Sequence, residues 1–387
     1  MFFDPDNNSY LPDDTLREQA SSHPSFSVFQ YASLMQPAAL DDFLFASGDG
    51  TLEHPYTIET EAQLRAFAQS LSDDTDYRGT YIELACDIHL TAGEWLPAGR
   101  GNHVFRGHFD GQHHTISGLK LGTDASPYYD MPGQSAIGYF GLFSVLETDA
   151  VICNLNLEVA FYVASGQSLY VSGLAGYTSQ ALIEQVHISG TIQGSTLHHN
   201  ANLFVGGICA SAYRQEIRQC SSSAWIHAEA LDGMAEAGGI TGFQNRGVIA
   251  HCHCDGKVTG NIDSAHNGRA VLGGIAGVHA GTIINCISTA AILSDCHNSY
   301  LGALAGWATG ISSTMESCYC LTACRISTSE DDTCAGVMLS EPVGLKVTRG
   351  KNNFGVPYAG SVVIDVYGFD AEHIQEEIAA LRQKRAI

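Results

Sequence analysis

Charged side chains are scarce in this sequence, at 15% of 387 residues, where a soluble domain ordinarily carries about a quarter. Positive charge is scarcest of all: 18 Lys plus Arg stand against 41 Asp plus Glu, a net charge of −23. Phosphate backbones and anionic lipids are bound by neutralising cations, so this balance excludes nucleic acid as a partner and disfavours an acidic membrane surface. Long hydrophobic runs are missing as well. No stretch of eighteen or more apolar residues is present, so membrane insertion as a helix is not expected. Residues 1–6 lack the basic start and apolar run of a secretory leader and carry Asp4 and Asp6 instead. That leaves three locations open: cytoplasmic, exported by a non-classical route, or the mature part of a secreted or cell-surface protein. Short catalytic signatures are also missing. There is no zincin His-Glu-x-x-His, no nucleophile-elbow Gly-x-Ser-x-Gly, no Walker loop and no Gly-x-Gly-x-x-Gly.

What is present points to a packed, turn-rich fold. Hydrophobic residues make up 45%, ample for a core, and glycine contributes 41 residues, or roughly 11% against a usual 7%. A repeat explains the glycine. Gly173-Leu174-Ala175-Gly176, Gly207-Ile208-Cys209-Ala210, Gly239-Ile240-Thr241-Gly242, Gly274-Ile275-Ala276-Gly277 and Ala303-Leu304-Ala305-Gly306 begin 34, 32, 35 and 29 residues apart. A weaker member, Gly141-Leu142-Phe143-Ser144, lies 32 residues before the first. Each is followed by a second register, reading Ile152-Cys153-Asn154, Gln185-Val186-His187, Gln219-Cys220-Ser221, His251-Cys252-His253, Asn285-Cys286-Ile287 and Ser317-Cys318-Tyr319. A short β-like stretch and a polar loop then lead to the next start. Each unit reads as small-residue turn, short strand, turn, short strand and loop, with no helical periodicity between 137 and 330. Stacked units of this kind form a β-solenoid, in which equivalent residues pile up about 4.8 Å apart and glycine fits the tight corners.

These residues carry a family resemblance. The repeat resembles the GLUG repeat of bacterial surface proteins, including adhesins and the N-terminal regions of IgA-protease-type metallopeptidases. The segments before it are similar to the same family's entry region: 50–58 (Gly-Thr-Leu-Glu-His-Pro-Tyr-Thr-Ile), 61–64, 82–90, 95–99 and 109–119. The resemblance covers roughly 48–325. It implies an all-β, right-handed, single-stranded parallel β-helix, and no catalytic mechanism. The peptidase motif found beside the repeat in some relatives is not carried here.

The ends differ from the middle. Thr60 followed by Gln63 reads as a capping box, and Leu64, Phe67 and Leu71 share a face, which predicts a capping helix over 60–71. Glu372, Glu376 and Glu377 ahead of Arg382, Lys384 and Arg385 predict a closing helix over 371–385. The organisation expected is an arm or linker over 1–47, a cap with the first coils over 48–130, repeats over 131–330, and closing strands with a helix over 331–387. A homo-oligomer through the two termini is a further expectation.

Twelve cysteines invite a metal or disulfide reading, above all His251-Cys252-His253-Cys254. The repeat favours another: Cys153, Cys220, Cys252, Cys286 and Cys318 form one buried, reduced column, with His251 and His253 turned outward to solvent. No metal site is assigned. The unit-closing loops carry the site candidates. They read 195–200 with His198 and His199, 229–236 with Glu229 and Asp232, 263–269 with Asp263, His266, Asn267 and Arg269, and 294–300 with Asp295, His297 and Tyr300. On one side of a solenoid they would form a polar ridge along the axis, its plainest reading a solvated wall. The sharper reading makes His198, His199, Glu229, His266, Asn267, Arg269, Asp295, His297 and Tyr300 contacts to a polysaccharide. Asp232 and Asp263 would then sit near the separations that glycosidases use. Calcium bound by the same carboxylates is the one cofactor considered. Phe161, Tyr162, Tyr170 and Tyr177 are candidate sugar stackers, Phe161 reading better as core. The His113-His114 pair reads as part of a turn.

The function this supports is a recognition or adhesive module for a glycan or a protein surface. A polysaccharide hydrolase or lyase is the alternative, and a structural subunit of a filament, virion or secreted effector assembly is a third.

Overall fold

The computed structural model describes residues 44–326 apart from 74, 101–102, 131–137, 263–267, 295–298, 309–312, 317 and 322–323. It gives the backbone alone at 2–4, 9–11, 319, 321, 324–326, 350–351 and 354–356. Two compact units result, Met1–Asp41 and Asp42–Ile387. In the first, Phe2–Asp4 pairs antiparallel with Ser9–Leu11. The second is a parallel β-solenoid.

From Gly138 onward each coil of the solenoid runs through five faces. Face one holds Phe143–Leu146, Ala175–Ser179, Cys209–Tyr213, 241–245, 276–280 and Ala305–Ala308, paired in parallel. Face two stacks 151–153, 182–184, Glu216–Arg218, 248–250, 282–284 and Thr314–Glu316. Face three runs through 155–158, 186–189, Ser221–Ser222, His253–Cys254 and Ile287–Ser288. Face four holds 159–165, 191–196, Trp225–Ala230, Lys257–Ile262 and Ala291–Ser294. Face five is a separate sheet of Gly138–Phe140, Leu169–Ser172, Leu203–Gly206, Met234–Gly238, Arg269–Gly273 and Ser299–Gly302. It corrects the expected pattern: segments read as polar loops from 203, 234, 269 and 299 onward are strands, because their alternating apolar residues face the core.

Two local devices turn the chain. Between faces two and three, Asn154, Gln185, Gln219, His251 and Asn285 all take φ between 51 and 54°, the left-handed region in which polar side chains are tolerated best. The residue after each corner points inward. Between faces five and one, glycine is needed for closeness rather than for φ: a Cβ on Gly239 would strike the Gly274 carbonyl and the Cys254 thiol, and one on Gly274 would strike Ser288 Oγ and the Ala303 carbonyl.

Corner register also corrects the thiol column. The residues after the left-handed corners are Leu155, Val186, Cys220, Cys252 and Cys286, with Cys318 next in register. Cys153 pairs instead with Asp110 and Glu184 on face two and is only half-buried. The ladder therefore has four thiols, all fully buried and free. Each Sγ donates to carbonyls of a neighbouring stretch, as Cys252 does to Ala250 at 3.4 Å and Ile217 at 3.7 Å. Burial pushes the Cys252 and Cys286 thiols well above their ordinary range. Among the described residues no three His, Cys, Asp or Glu converge as a metal site. His251 is exposed as expected, but His253 is buried at 5% exposure.

A helix closes the first coil. It runs Glu61–Ser72, with Thr60 Oγ1 accepting from Gln63 N–H at 3.2 Å and Gln63 Oε1 accepting from Thr60 N–H at 3.1 Å. Phe67 plugs the interior, 5.9 Å from the Phe105 ring, 5.8 Å from Phe109 and 6.2 Å from Phe143. Glu61 ties the helix to the coil beneath: it accepts the Thr91 and Ala92 N–H groups at 2.9 and 3.0 Å, and these bonds hold its carboxyl down at about 2. The helix expected over 371–385 lies outside the described residues. Gln112 and His113 both take positive φ, so the His113-His114 pair begins in a turn, as read.

Candidate functional site

The unit-closing loops are the natural place to begin. His199 Nδ1 lies 2.6 Å from Asp232 Oδ2 one coil away, and the Asn200 N–H donates to Asp232 Oδ1. Both carboxylate oxygens are thus engaged in bracing one loop on the next, and the Asp232 side chain is 15% exposed. His198 and His199 are exposed, their rings 6.3 Å apart. Asp263, His266, Asn267, Asp295 and His297 lie outside the described residues. Glu229, Arg269 and Tyr300 sit on strands instead of loops. Arg269 and Tyr300 are brought together, the guanidinium carbon 5.6 Å from the ring centroid.

The outer side of face four, next to these loops, holds a better-built surface. The strand Trp225–Ala230 alternates: Ile226, Ala228 and Ala230 are buried, and Trp225, His227 and Glu229 point out. Trp225 is 41% exposed. Its ring is held on two sides. Nε1 donates to Thr259 Oγ1 at 3.0 Å, and Lys257 Nζ sits 5.0 Å from the ring centroid. Thr259 Oγ1 donates to the Ile226 carbonyl at 3.2 Å and lies 2.8 Å from His227 Nδ1. A hydroxyl has one proton and two lone pairs. With the proton on Ile226 O and one lone pair taken by Trp225, His227 must present Nδ1–H. The indole is thus oriented before any ligand arrives, which lowers the ordering cost of binding.

Register places other groups around it. Lys120, Ala160, Thr191, Trp225, Lys257 and Ala291 form one outward column; Tyr162, Gln193, His227, Thr259 and Leu293 form a second; Tyr129, Ala164, Ser195, Glu229 and Asn261 form a third, in which the small Ala164 and Ser195 are buried. Tyr129 is 42% exposed and Tyr162 is half-buried. Of the four aromatic candidates from sequence, Tyr162 belongs to this surface and Phe161 is core. Tyr170 and Tyr177 stand elsewhere, in a seam where face five folds back on face one. There Tyr139 meets Tyr177 at 5.8 Å, Phe204 meets Phe243 at 6.0 Å, and Tyr300 meets Trp307 at 5.6 Å. Reasoning from loops missed Trp225 and Tyr129. The signal for Trp225 was available in the apolar alternation of 225–230.

Two buried ionisable groups lie away from this surface, on faces five and one. Glu236 lies in the seam, 5% exposed, with Oε2 unpaired, and burial raises its carboxyl to about 8. His279 lies inside the solenoid, its Nδ1 2.7 Å from Gln244 Oε1 and its Nε2 3.1 Å from the Thr314 carbonyl, and burial lowers it to about 4.

Comparison with known proteins agrees on architecture. A crystal structure assigned as an immunoglobulin A1 protease from Bacteroides ovatus superposes with a TM-score of 0.60 over 87% of this chain and 90% of that one, at 19% identity. That likeness shows the fold alone. A protein named as a Gly-rich membrane protein, from Evansella cellulosilytica, is 30% identical over 165 residues. Halomucin of Haloquadratum walsbyi is 28% identical over 190 residues. The matches cover 41% and 46% of this chain but only 17% and 2% of those proteins. No family model matches.

Proposed function

We propose that the chain is a GLUG-type β-helix recognition module that holds a glycan on the outer side of face four, beside the loop ridge. The observation that carries this is Trp225: a large aromatic ring left 41% exposed, yet fixed by Thr259 and Lys257. Exposed aromatics that are merely tolerated have no reason to be held in place, whereas a stacking platform for the apolar face of a sugar does. Gln193, Glu229 and Asn261 supply hydrogen-bonding groups around it. Relatives named Halomucin and as a Gly-rich membrane protein support a surface or adhesive setting for such a module. Asp232, with both oxygens committed to the neighbouring loop, acts here as a brace that shapes the ridge.

The test is a glycan array followed by titration calorimetry with wild type and Trp225→Ala. The variant is expected to lose about tenfold or more in affinity, as a central aromatic anchor does, while keeping its melting temperature. Unchanged binding by Trp225→Ala would refute the assignment. Glycan cleavage abolished by Asp232→Asn would replace it with the hydrolase or lyase reading.

A further inference from the structure

We infer that the ligand on this face is a neutral, extended, 1,4-linked pyranose polymer of the β-glucan or chitin type. It lies obliquely across the coils over an aromatic track formed by Tyr129, Tyr162 and Trp225. The inference rests on the glycan-binding reading above and adds the chemistry and direction of the chain.

The track follows from register. Tyr129 stands in the column of Ala164, Ser195 and Glu229, so it is three coils below the Trp225 strand and four residues along it. Tyr162 stands in the column of Gln193 and His227, two coils below that strand and two residues along. The three rings therefore descend in order across three adjacent columns. With about 4.8 Å per coil and about 3.3 Å per residue, Trp225 and Tyr129 are roughly 20 Å apart. That span fits about four sugars at roughly 5 Å each, close to the rise of one coil. Tyr162 falls between them, nearer to Tyr129. Flat rings spaced along a line suit a polymer of equatorially substituted pyranoses, whose faces carry only C–H groups.

Charge offers an anionic polymer no continuous basic strip to follow. Lys257 Nζ stands 5.0 Å from the Trp225 ring, and Lys120 is exposed in the same column four coils away. Against them, Glu229 is exposed on the Trp225 strand, and Glu158 and Asp255 are exposed on face three and at its corner with face four, in a chain of net charge −23. A polyuronate or sulfated glycan would find two separated lysines offset by neighbouring carboxylates, under the repulsion of an acidic chain that is felt most at low ionic strength. A neutral chain meets none, and its hydroxyls match Gln193, Glu229, Asn261 and Thr191.

The experiment is calorimetry with cello- and chito-oligosaccharides of one to six units against wild type, Trp225→Ala and Tyr129→Ala, each checked for an unchanged melting temperature. In at least one series, wild-type affinity should rise with each sugar up to about four and then level off, with little dependence on salt. Trp225→Ala should weaken every length, by about tenfold. Tyr129→Ala should leave the disaccharide unchanged and weaken the hexasaccharide by severalfold. A hexasaccharide insensitive to Tyr129→Ala, or affinity that does not grow with length, overturns the track while leaving Trp225 as a binding platform. Binding confined to polyanions such as polygalacturonate, or to glycans outside both series, overturns the assigned class. Trp225→Ala without effect on any bound glycan overturns the binding face itself, and the track with it.

Discussion

Glu236 gives the sharpest test of how this solenoid is packed. Alternation along Met234–Gly238 points it away from the core of its own sheet, yet face five folds back on face one and leaves it 5% exposed between Phe204 and Val271 of the adjoining coils. Burial alone raises its carboxyl from 4.5 to about 8, and its Oε2 has no hydrogen-bond partner. The folded state thus keeps a proton that the unfolded chain releases above its ordinary carboxylate pKa. Stability from this group is fully present below about pH 4.5 and is lost as pH rises toward about 8. Each pH unit in that window is worth about 1.4 kcal/mol, so the loss is about 3 kcal/mol at pH 7 and approaches 5 kcal/mol at pH 8.5, an upper limit because relaxation admits water. His279 slopes the other way: it is held neutral by burial at about 4, so its contribution is lost as pH falls from 6.5 toward 4. Subtraction separates the two. Guanidinium unfolding of wild type and Glu236→Gln should give nearly equal stabilities at pH 4.5 and diverge steadily toward pH 8.5, with the variant more stable by several kcal/mol. Hydrogen exchange of the 234–238 amides reports the same difference locally if terminal coils fray first. A gap between wild type and variant that stays constant from pH 5 to 8.5 would show that water reaches the carboxyl and would refute the closed seam.

Two further outcomes are expected. Gly274→Ala should destabilise by about 3 kcal/mol or more, because the added Cβ meets the Ala303 carbonyl as well as the Ser288 side chain and backbone cannot step aside; a thermal melt within a degree or two of wild type would contradict the close approach of faces five and one. Among the described cysteines, a thiol reagent followed by mass mapping should label Cys86 first, since Cys209, Cys220, Cys252, Cys254, Cys286, Cys318 and Cys320 are buried. Cys153 should lag, its thiol pushed up to about 12 by burial and by the Asp110 and Glu184 carboxylates. Rapid labelling of Cys252 in the native state would rule out the interior ladder.

Much of the architecture was legible in the chain because a solenoid is a nearly one-dimensional object. The period from 141 to 303, the small residues that open each unit and the capping box at Thr60 are local facts, and stacking repeats them without needing distant contacts. The Cys153 alignment failed for a local reason too: the left-handed corner, not the cysteine, marks the inward position. Asn-Leu at 154–155, Gln-Val at 185–186, Gln-Cys at 219–220 and His-Cys at 251–252 are the true equivalents. Read that way, the column would have come out correctly.

Other properties belong to the tertiary structure alone. Inside and outside alternate along a strand, so sequence assigns Glu236 and His253 to the outside; the structure buries both, Glu236 through the packing of face five against face one. The platform needed register as well. Trp225, Thr259 and Lys257 are 34 and 32 residues apart in the chain and become neighbours because one coil closes between them. Sequence by itself determined the repeat and its parallel stacking, since these depend on spacing between near neighbours. Which side chains lie beside one another across coils, and therefore where a ligand finds a flat aromatic surface, was decided when the coils closed on each other.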